Sequence, residues 1–386
     1  MRLSKQLFLE KYKLPKIINQ HSTISLLNKG PFYQMIEKGI PLFLPIGNSI
    51  ISSIENICIK EAGEFELNHI DMTQMVPTEI LSLGEDFHQG FIDQFIFLKG
   101  KMERYHLLST PEPLLINFLK EGLKSYRQLP IQMIFIAKFF RQLNSVNSIL
   151  KSREFRMLAG ACLYDCDKNS SSAIENFHLY TMHIASFFDL NLNHTFRKEI
   201  SFMEYFYVHP DGEESFNDKP AMSIAMSYEY GKEKKLLAKY CGLNNRKMNA
   251  RFVTYGLGLQ RLFFAIFDSC RDDKGFNLPK SIRPFDITII AHTDSDIADC
   301  LEFSKSLNIP AERILIDDRK NATTDEKESF SDFLGIPQKV IVHNKNFLVK
   351  HRKYETLLEE AFQTSIIDPQ KRIDFNIILH SLPKIA

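Results

Sequence analysis

Residues 274 to 286, KGFNLPKSIRPFD, are the strongest break in this chain. Gly275, Pro279 and Pro284 fall close together there, and neither a helix nor a strand passes easily through such a run. Beyond the break the pattern alternates. DITIIAH is an apolar run of strand length, and DIADCLEFSKSL has helical spacing with Ile297, Leu301 and Phe303 among its apolar positions. RILIDD reads as a second strand, and KVIVHN as a third after another helical stretch. Strands alternating with helices predict a parallel or mixed sheet with crossover helices. At 386 residues the chain is too long for one compact core and comfortable for two. The expected division is one domain over residues 1–281 and a small α/β domain over 282–386.

The first region has a different pattern. IENICIKEAG reads as a helix ending at Gly63, and PEPLLINFLKEGLKSY as another with Leu115, Phe118, Leu119 and Leu123 on one side. IQMIFIAKFF is dense in β-branched and aromatic residues, and REFRMLAG follows it after a polar loop. Helices followed by strands across a long polar loop predict an α+β domain built on an antiparallel sheet.

Composition narrows the function classes. Hydrophobic residues make up 44% and charged residues 25%, an ordinary globular balance, and the net charge is +1. A near-neutral chain is not a DNA coater, so nucleic-acid contact would have to come from a local patch. Lys339, Lys345, Lys350, His351, Arg352 and Lys353, with Phe347 among them, form such a stretch; it reads equally as a contact surface or as a solvated lysine-rich face. Of six cysteines only Cys162 and Cys166 lie close together, and without a second pair they read as thiols in a reducing cytosol rather than as a zinc site. HTDSD, residues 292–296, reads as a helix N-cap rather than as metal ligands. No signal peptide and no membrane-spanning run is expected, which points to a cytoplasmic protein.

Several segments then line up in order. They are PLFLPIGNSIISSIENICIKEAG (41–63), the stretch 109–158 with SYRQLP, a strand, an Arg, a loop and REF, and YGLGLQRLFFAIFDSCRDDKGFNLPKSIRPF (255–285). LIDDR and LGIP follow at 315–319 and 334–337. Together, over about residues 25 to 360, they resemble the class II aminoacyl-tRNA synthetases of the prolyl type. The resemblance implies an antiparallel-sheet class II catalytic domain followed by a small anticodon-binding-like α/β domain. It also implies ATP and Mg2+ as cofactors, tRNA and a proline-like amino acid as partners, and a homodimer built on the first signature, with no membrane and no DNA.

The chemistry explains which side chains such a protein needs. Attack of an amino-acid carboxylate on the α-phosphorus of ATP joins two anions, and fixed guanidinium groups screen that charge best. The resemblance implies that Arg141 holds the α-phosphate and the amino-acid carboxylate, and that Arg261 holds the γ-phosphate. Phe155 would stack on adenine, with Arg153 and Glu154 flanking it. Thr110 and Glu112 would receive the substrate amino group, and Glu204 is a kept residue of the amino-acid pocket. Taken singly, Arg141 and Arg261 read as surface arginines, Phe155 as core and Glu112 as a first-turn acid favoured by the helix dipole.

The chain departs from the family pattern at the chemistry. Leu143 replaces an acid, Leu158 and Ala159 replace a Lys-Asp pair, and Gln260 stands where Ser is usual. The proline closing the first signature is missing or displaced to Pro77. The pocket segment SFMEYF and the strand AMSIAMSYEYG also differ, and only about forty residues separate the first two signatures, so the editing insertion is absent. Three outcomes are open: a pocket rebuilt for its own amino acid, a paralogue that binds tRNA or a partner without turnover, or transfer of the activated acid to another acceptor.

Overall fold

A computed structural model of the chain describes residues 1–5, 14–15, 18–84, 92–146, 148–165, 171–230 and 239–352. Cys166 and Lys353 lie outside the described residues. The chain divides into two compact units, a larger one of Gln34–Phe43 and Ile51–Ser269, and a smaller one of Met1–Tyr33, Leu44–Ile50 and Cys270–Ala386.

The larger unit is built on one sheet. Its strands are β1 (Asn68–His69), β2 (Ile131–Phe140), β3 (Glu154–Tyr164), β4 (Asn193–Arg197), β5 (Phe202–Val208), β6 (Glu214–Phe216), β7 (Lys219–Tyr230) and β8 (Arg251–Gly258). They run in the order β1-β2-β3-β8-β7-β5-β4, with β6 paired to β7. All pairings are antiparallel except the short β1–β2 edge. The predicted antiparallel sheet is present, and the polar loop lies between β2 and β3. Small residues let this sheet pack closely. A Cβ on Gly160 in β3 would lie 2.7 Å from the Met133 carbonyl oxygen.

Helices cover the sheet. α1 (Pro45–Ala62), of which the residues from Ile51 on belong to this unit, is the helix expected to end at Gly63. α2 (Glu112–Gly122) buries Leu115, Ile116 and Leu119, and with Leu123 they pack on Phe135, Phe139 and Ala159. Phe118, expected on the same side, is instead 61% exposed. At about 100° per residue the four buried positions share an arc of roughly 100°, and Phe118 falls about 110° from its centre. α3 (Ser171–Phe187) buries Ile174, Phe177, Thr181 and Ile184 at helical spacing, and Phe177 stacks on Tyr255 of β8 at 4.7 Å. α4 (Leu259–Ser269) is buried almost all round, as its run LFFAIF demands.

The smaller unit carries β9 (Ile287–Ala291), β10 (Ile314–Asp317), β11 (Gln338–His343) and β12 (Asn346–His351) in the order β10-β9-β11-β12. β9 is parallel to both neighbours and β12 is antiparallel to β11, the mixed sheet that the alternation predicts. α5 (Ile297–Ser306) and α6 (Thr324–Phe333) belong to the same unit, and Cys300 and Phe303 of α5 pack against Ile287, Ile289 and Val340. HTDSD acts as a cap: the Thr293 hydroxyl and N–H donate to Asp296 at 2.6 and 2.8 Å. Asn344 N–H donates to the other Asp296 oxygen at 2.9 Å.

Three members of the basic stretch are paired with acids, while Lys345 is exposed. Lys339 is fully buried and donates to both Asp332 oxygens at 2.8 Å. Lys350 donates to Glu328 at 3.0 Å, and Arg352 forks onto Asp272 at 2.6 and 2.7 Å. Phe347 packs on Phe303 at 4.8 Å. These positive charges are answered by acids of the same unit. Among the described residues, no helix is long and apolar enough to cross a membrane.

Two features of the smaller unit set its stability. Gly335 has φ +72° and a Cβ there would lie 1.9 Å from the Phe276 carbonyl oxygen, so Gly335→Ala is expected to destabilise the chain by about 3 kcal/mol, seen as a lower urea midpoint. Against burial, which would raise it, the bonds from Thr293 and Asn344 hold the Asp296 carboxyl down to about 2. A depressed folded-state pKa stabilises above the ordinary value of about 3.9 and is lost below it. Acid unfolding of the full chain between about pH 4 and pH 2 should therefore become shallower in Asp296→Asn.

Candidate active site

One cleft in the larger unit, of about 470 Å³, gathers most of the residues singled out by sequence. Thr110, Glu112, Arg141, Phe155, Glu204 and Arg261 all line it.

Glu112 sits in the first turn of α2, only 4% exposed, where helical N–H groups favour an acid. Its carboxylate accepts from the Thr110 hydroxyl, and from Tyr228 and Thr254 at 3.1 Å each. Tyr228 on β7 and Thr254 on β8 are directly paired across the sheet. The neighbouring charge is Arg141, the first residue after β2, whose N–H extends the hairpin by donating to Arg153 O at 2.8 Å. Its Nε donates to Ser109 O at 3.1 Å, and its guanidinium lies 5.3 Å from the Phe155 ring centre. Burial pulls the Arg141 pKa below the usual arginine value, while Glu112 and Tyr228 support the charge and Arg261 opposes it.

Phe155 stacks on its cross-strand partner Phe139, 5.8 Å centre to centre and 19° between planes, so one aromatic ring is held ready against the cleft. Arg261, in the first turn of α4, is held by three acceptors. Its Nε donates to Leu150 O at 3.0 Å, and its Nη1 to Ser223 O at 2.7 Å and Glu214 Oε1 at 3.2 Å. Glu204 on β5 lies 3.5 Å from Arg197.

Arg153 and Glu154 are placed elsewhere. The Arg153 guanidinium donates to Lys38 O at 2.7 Å and Leu143 O at 3.3 Å, and its N–H to Gly39 O at 2.7 Å. Glu154 pairs with Lys138 at 2.6 Å. Neither lines the cleft. Glu154 adjoins Phe155 on β3 and so faces the other side of the sheet, while Arg153 precedes the strand and is drawn onto the Lys38–Gly39 turn. An ATP role for these two loses its geometric support. The departures divide as well. Leu158 and Ala159 are fully buried in β3 and are not among the residues lining the cleft, whereas Leu143 and Gln260 line it.

Tyr228, Thr254, Glu214 and Ser223 were not singled out by sequence. Each reaches its partner only through strand pairing or helix docking; the alternation in AMSYEY could at most have put Tyr228 on one face. Chemically the cleft combines a buried carboxylate, an aromatic platform and two arginines that repel each other until an anion lies between them. Such a site suits a ligand carrying both an ammonium and phosphates.

No family model matches the chain. In sequence it is similar to the proline–tRNA ligase of Anaplasma phagocytophilum (strain HZ), 25% identical over 363 residues, covering 79% of this chain and 84% of the relative. The proline–tRNA ligase of Rickettsia prowazekii (strain Madrid E) is 22% identical over 436 residues, 95% of this chain and all of the relative. In fold the chain is similar to the prolyl-tRNA synthetase of Cryptosporidium parvum solved with halofuginone and AMPPNP, with TM-score 0.70, 17% identity, and 86% of this chain and 72% of that one covered. The prolyl-tRNA synthetase of Giardia lamblia in complex with prolyl-adenylate gives TM-score 0.67 at 18% identity, over 82% and 69% of the two chains.

The Glu112–Arg141 pairing has a direct consequence. Glu112→Ala leaves a buried guanidinium facing Arg261 without its supporting carboxylate, and should destabilise the chain by about 3 kcal/mol in urea. A loss under about 1 kcal/mol would show that the buried carboxylate, with its three hydroxyl donors and the nearby guanidinium, does not hold this site together.

Proposed function

We propose that this chain, a class II protein of the prolyl-tRNA synthetase type, activates an amino acid with ATP and passes it to tRNA, with proline or a proline-like acid as its substrate. The observation that carries this reading is the Glu112 carboxylate beside Arg141 in one cleft. Glu112, with Thr110, receives the substrate amino or imino group, because a buried ammonium needs a carboxylate. Arg141 takes the carboxylate and the α-phosphate together, which brings nucleophile and phosphorus into line and offsets their mutual repulsion. Phe155 carries the adenine and Arg261 the far end of the triphosphate. Glu204 closes the amino-acid end. Arg153 shapes the loop before β3 through Lys38 and Leu143.

Magnesium enters with ATP. Glu214 and Glu204 put carboxylate oxygens on the cleft wall, the donor class a hard cation takes, and magnesium would neutralise charge on the triphosphate. Residues 282 to 386 form the anticodon-binding-like domain in this reading, and α1 serves a homodimer.

One observation favours a second reading, transfer of the activated acid to an acceptor other than tRNA. Lys339, Lys350 and Arg352 are committed to acids within their own unit, which lowers the positive charge these three offer an RNA backbone.

Amino-acid-dependent exchange of pyrophosphate into ATP, measured across all twenty amino acids, tests the activation step. Exchange with proline is expected, reduced at least a hundredfold in Arg141→Ala. Silence with every acid on folded protein overturns the catalytic reading. Exchange without charging of any tRNA selects the other acceptor.

A further inference from the structure

Gln260 is almost completely buried, 3% exposed, yet it lines the cleft. Its Oε1 accepts from Arg156 N–H at 2.8 Å. A backbone N–H can only donate, so this bond fixes which way round the amide lies. Nε2 must then be the other end, and it has no hydrogen-bond partner among the described residues. A buried amide that keeps one end bonded and the other unmet is costly to hold unless a ligand completes it.

Its position says which part of a ligand. The Arg156 N–H belongs to the peptide directly after Phe155, so the Gln260 amide is anchored beside the aromatic platform. A second buried polar atom of the same cleft, Ser223 Oγ, is likewise without a partner among the described residues. Its own carbonyl takes the Arg261 guanidinium, so it marks the other end, where the phosphates lie.

We infer that Gln260 reads the nucleoside half of the nucleotide, its Nε2 donating to a ring nitrogen or sugar oxygen of the base and ribose stacked on Phe155. The inference rests on the proposed nucleotide site and adds to it a residue that fixes specificity. Gln260 reaches one atom that only a nucleoside supplies, while Arg261 holds phosphates that any polyphosphate supplies. The substituted position thereby becomes a contact in its own right. Gln reaches further than Ser, and here it spans from the first turn of α4 to the Arg156 N–H.

Calorimetric titration of the full chain with ATP and, separately, with tripolyphosphate, both with magnesium present, tests this. Gln260→Met removes the donor without adding charge. Gln260→Glu keeps the acceptor for Arg156 and so guards against a folding defect in the first variant. In both, the ratio of ATP affinity to tripolyphosphate affinity should fall about tenfold; taking the ratio cancels the charge that the second variant adds. A ratio within threefold of wild type in both variants overturns the inference, because the donor is then met by something other than the nucleoside. Wild-type protein that binds neither ligand overturns the nucleotide site itself, a failure distinct from that of Gln260.

Discussion

A carboxylate taken out of water must be given donors, and Glu112 is given three hydroxyls, with the charge of the Arg141 guanidinium nearby. Thr110 comes from the same turn, Arg141 from the end of β2, and Tyr228 and Thr254 from the paired strands β7 and β8. These contacts tie the site to the register of the sheet. A slip of one residue between β7 and β8 would turn Tyr228 or Thr254 to the opposite face and leave Glu112 short of a donor. The cleft therefore exists only where the antiparallel sheet is correctly paired, and the packing that fixes the pairing, Phe135, Phe139 and Ala159 under α2, also fixes the chemistry.

The two arginines are held in a related way. Arg141 is anchored on the Ser109 carbonyl, and Arg261 on the carbonyls of Leu150 and Ser223. Carbonyl anchors orient a guanidinium without neutralising it, so positive charge stays available to a ligand. Glu214 and Glu112 offset part of it. In the proposed function this is preorganisation by backbone: the donors would be aimed before an anion arrives, and little would have to reorganise when charge develops on a phosphate.

What was legible in the sequence was local. The run IQMIFIAKFF reads as a strand, the Thr293–Asp296 cap follows from residues three apart, and alternation after Pro284 implies a parallel or mixed sheet, of which the structure shows the mixed form. What was not legible depended on partners far along the chain. Lys339 and Arg352 read as a basic surface until folding brought Asp332 and Asp272 to them. Phe118 read as core because a spacing of three satisfies a helical pattern loosely, and only the direction of the whole stripe excludes it. Arg153 and Glu154 were drawn into the cleft by their nearness to Phe155. Yet Glu154, its neighbour on the strand, faces the opposite way, and Arg153 is held by the backbone of Lys38 and Gly39.

The same reasoning reweighs the departures from the family pattern. Leu158 pairs across the sheet with Ile136 and Leu257, and Ala159 with Phe135 and Gly256, so both changes are buried in the sheet next to the cleft-lining Met157 and Gly256 without lining the cleft themselves. Charged groups placed there would need buried partners that the surrounding Phe and Leu side chains do not offer. The apolar pair is thus consistent with its surroundings. Leu143 and Gln260 are different, because both border the cleft. At one the wall carries Leu where the resemblance leads one to expect an acid, and at the other an amide of fixed orientation stands where a hydroxyl is usual. An acid repels phosphate and an amide N–H does not, so neither side chain at these two positions opposes an anionic ligand.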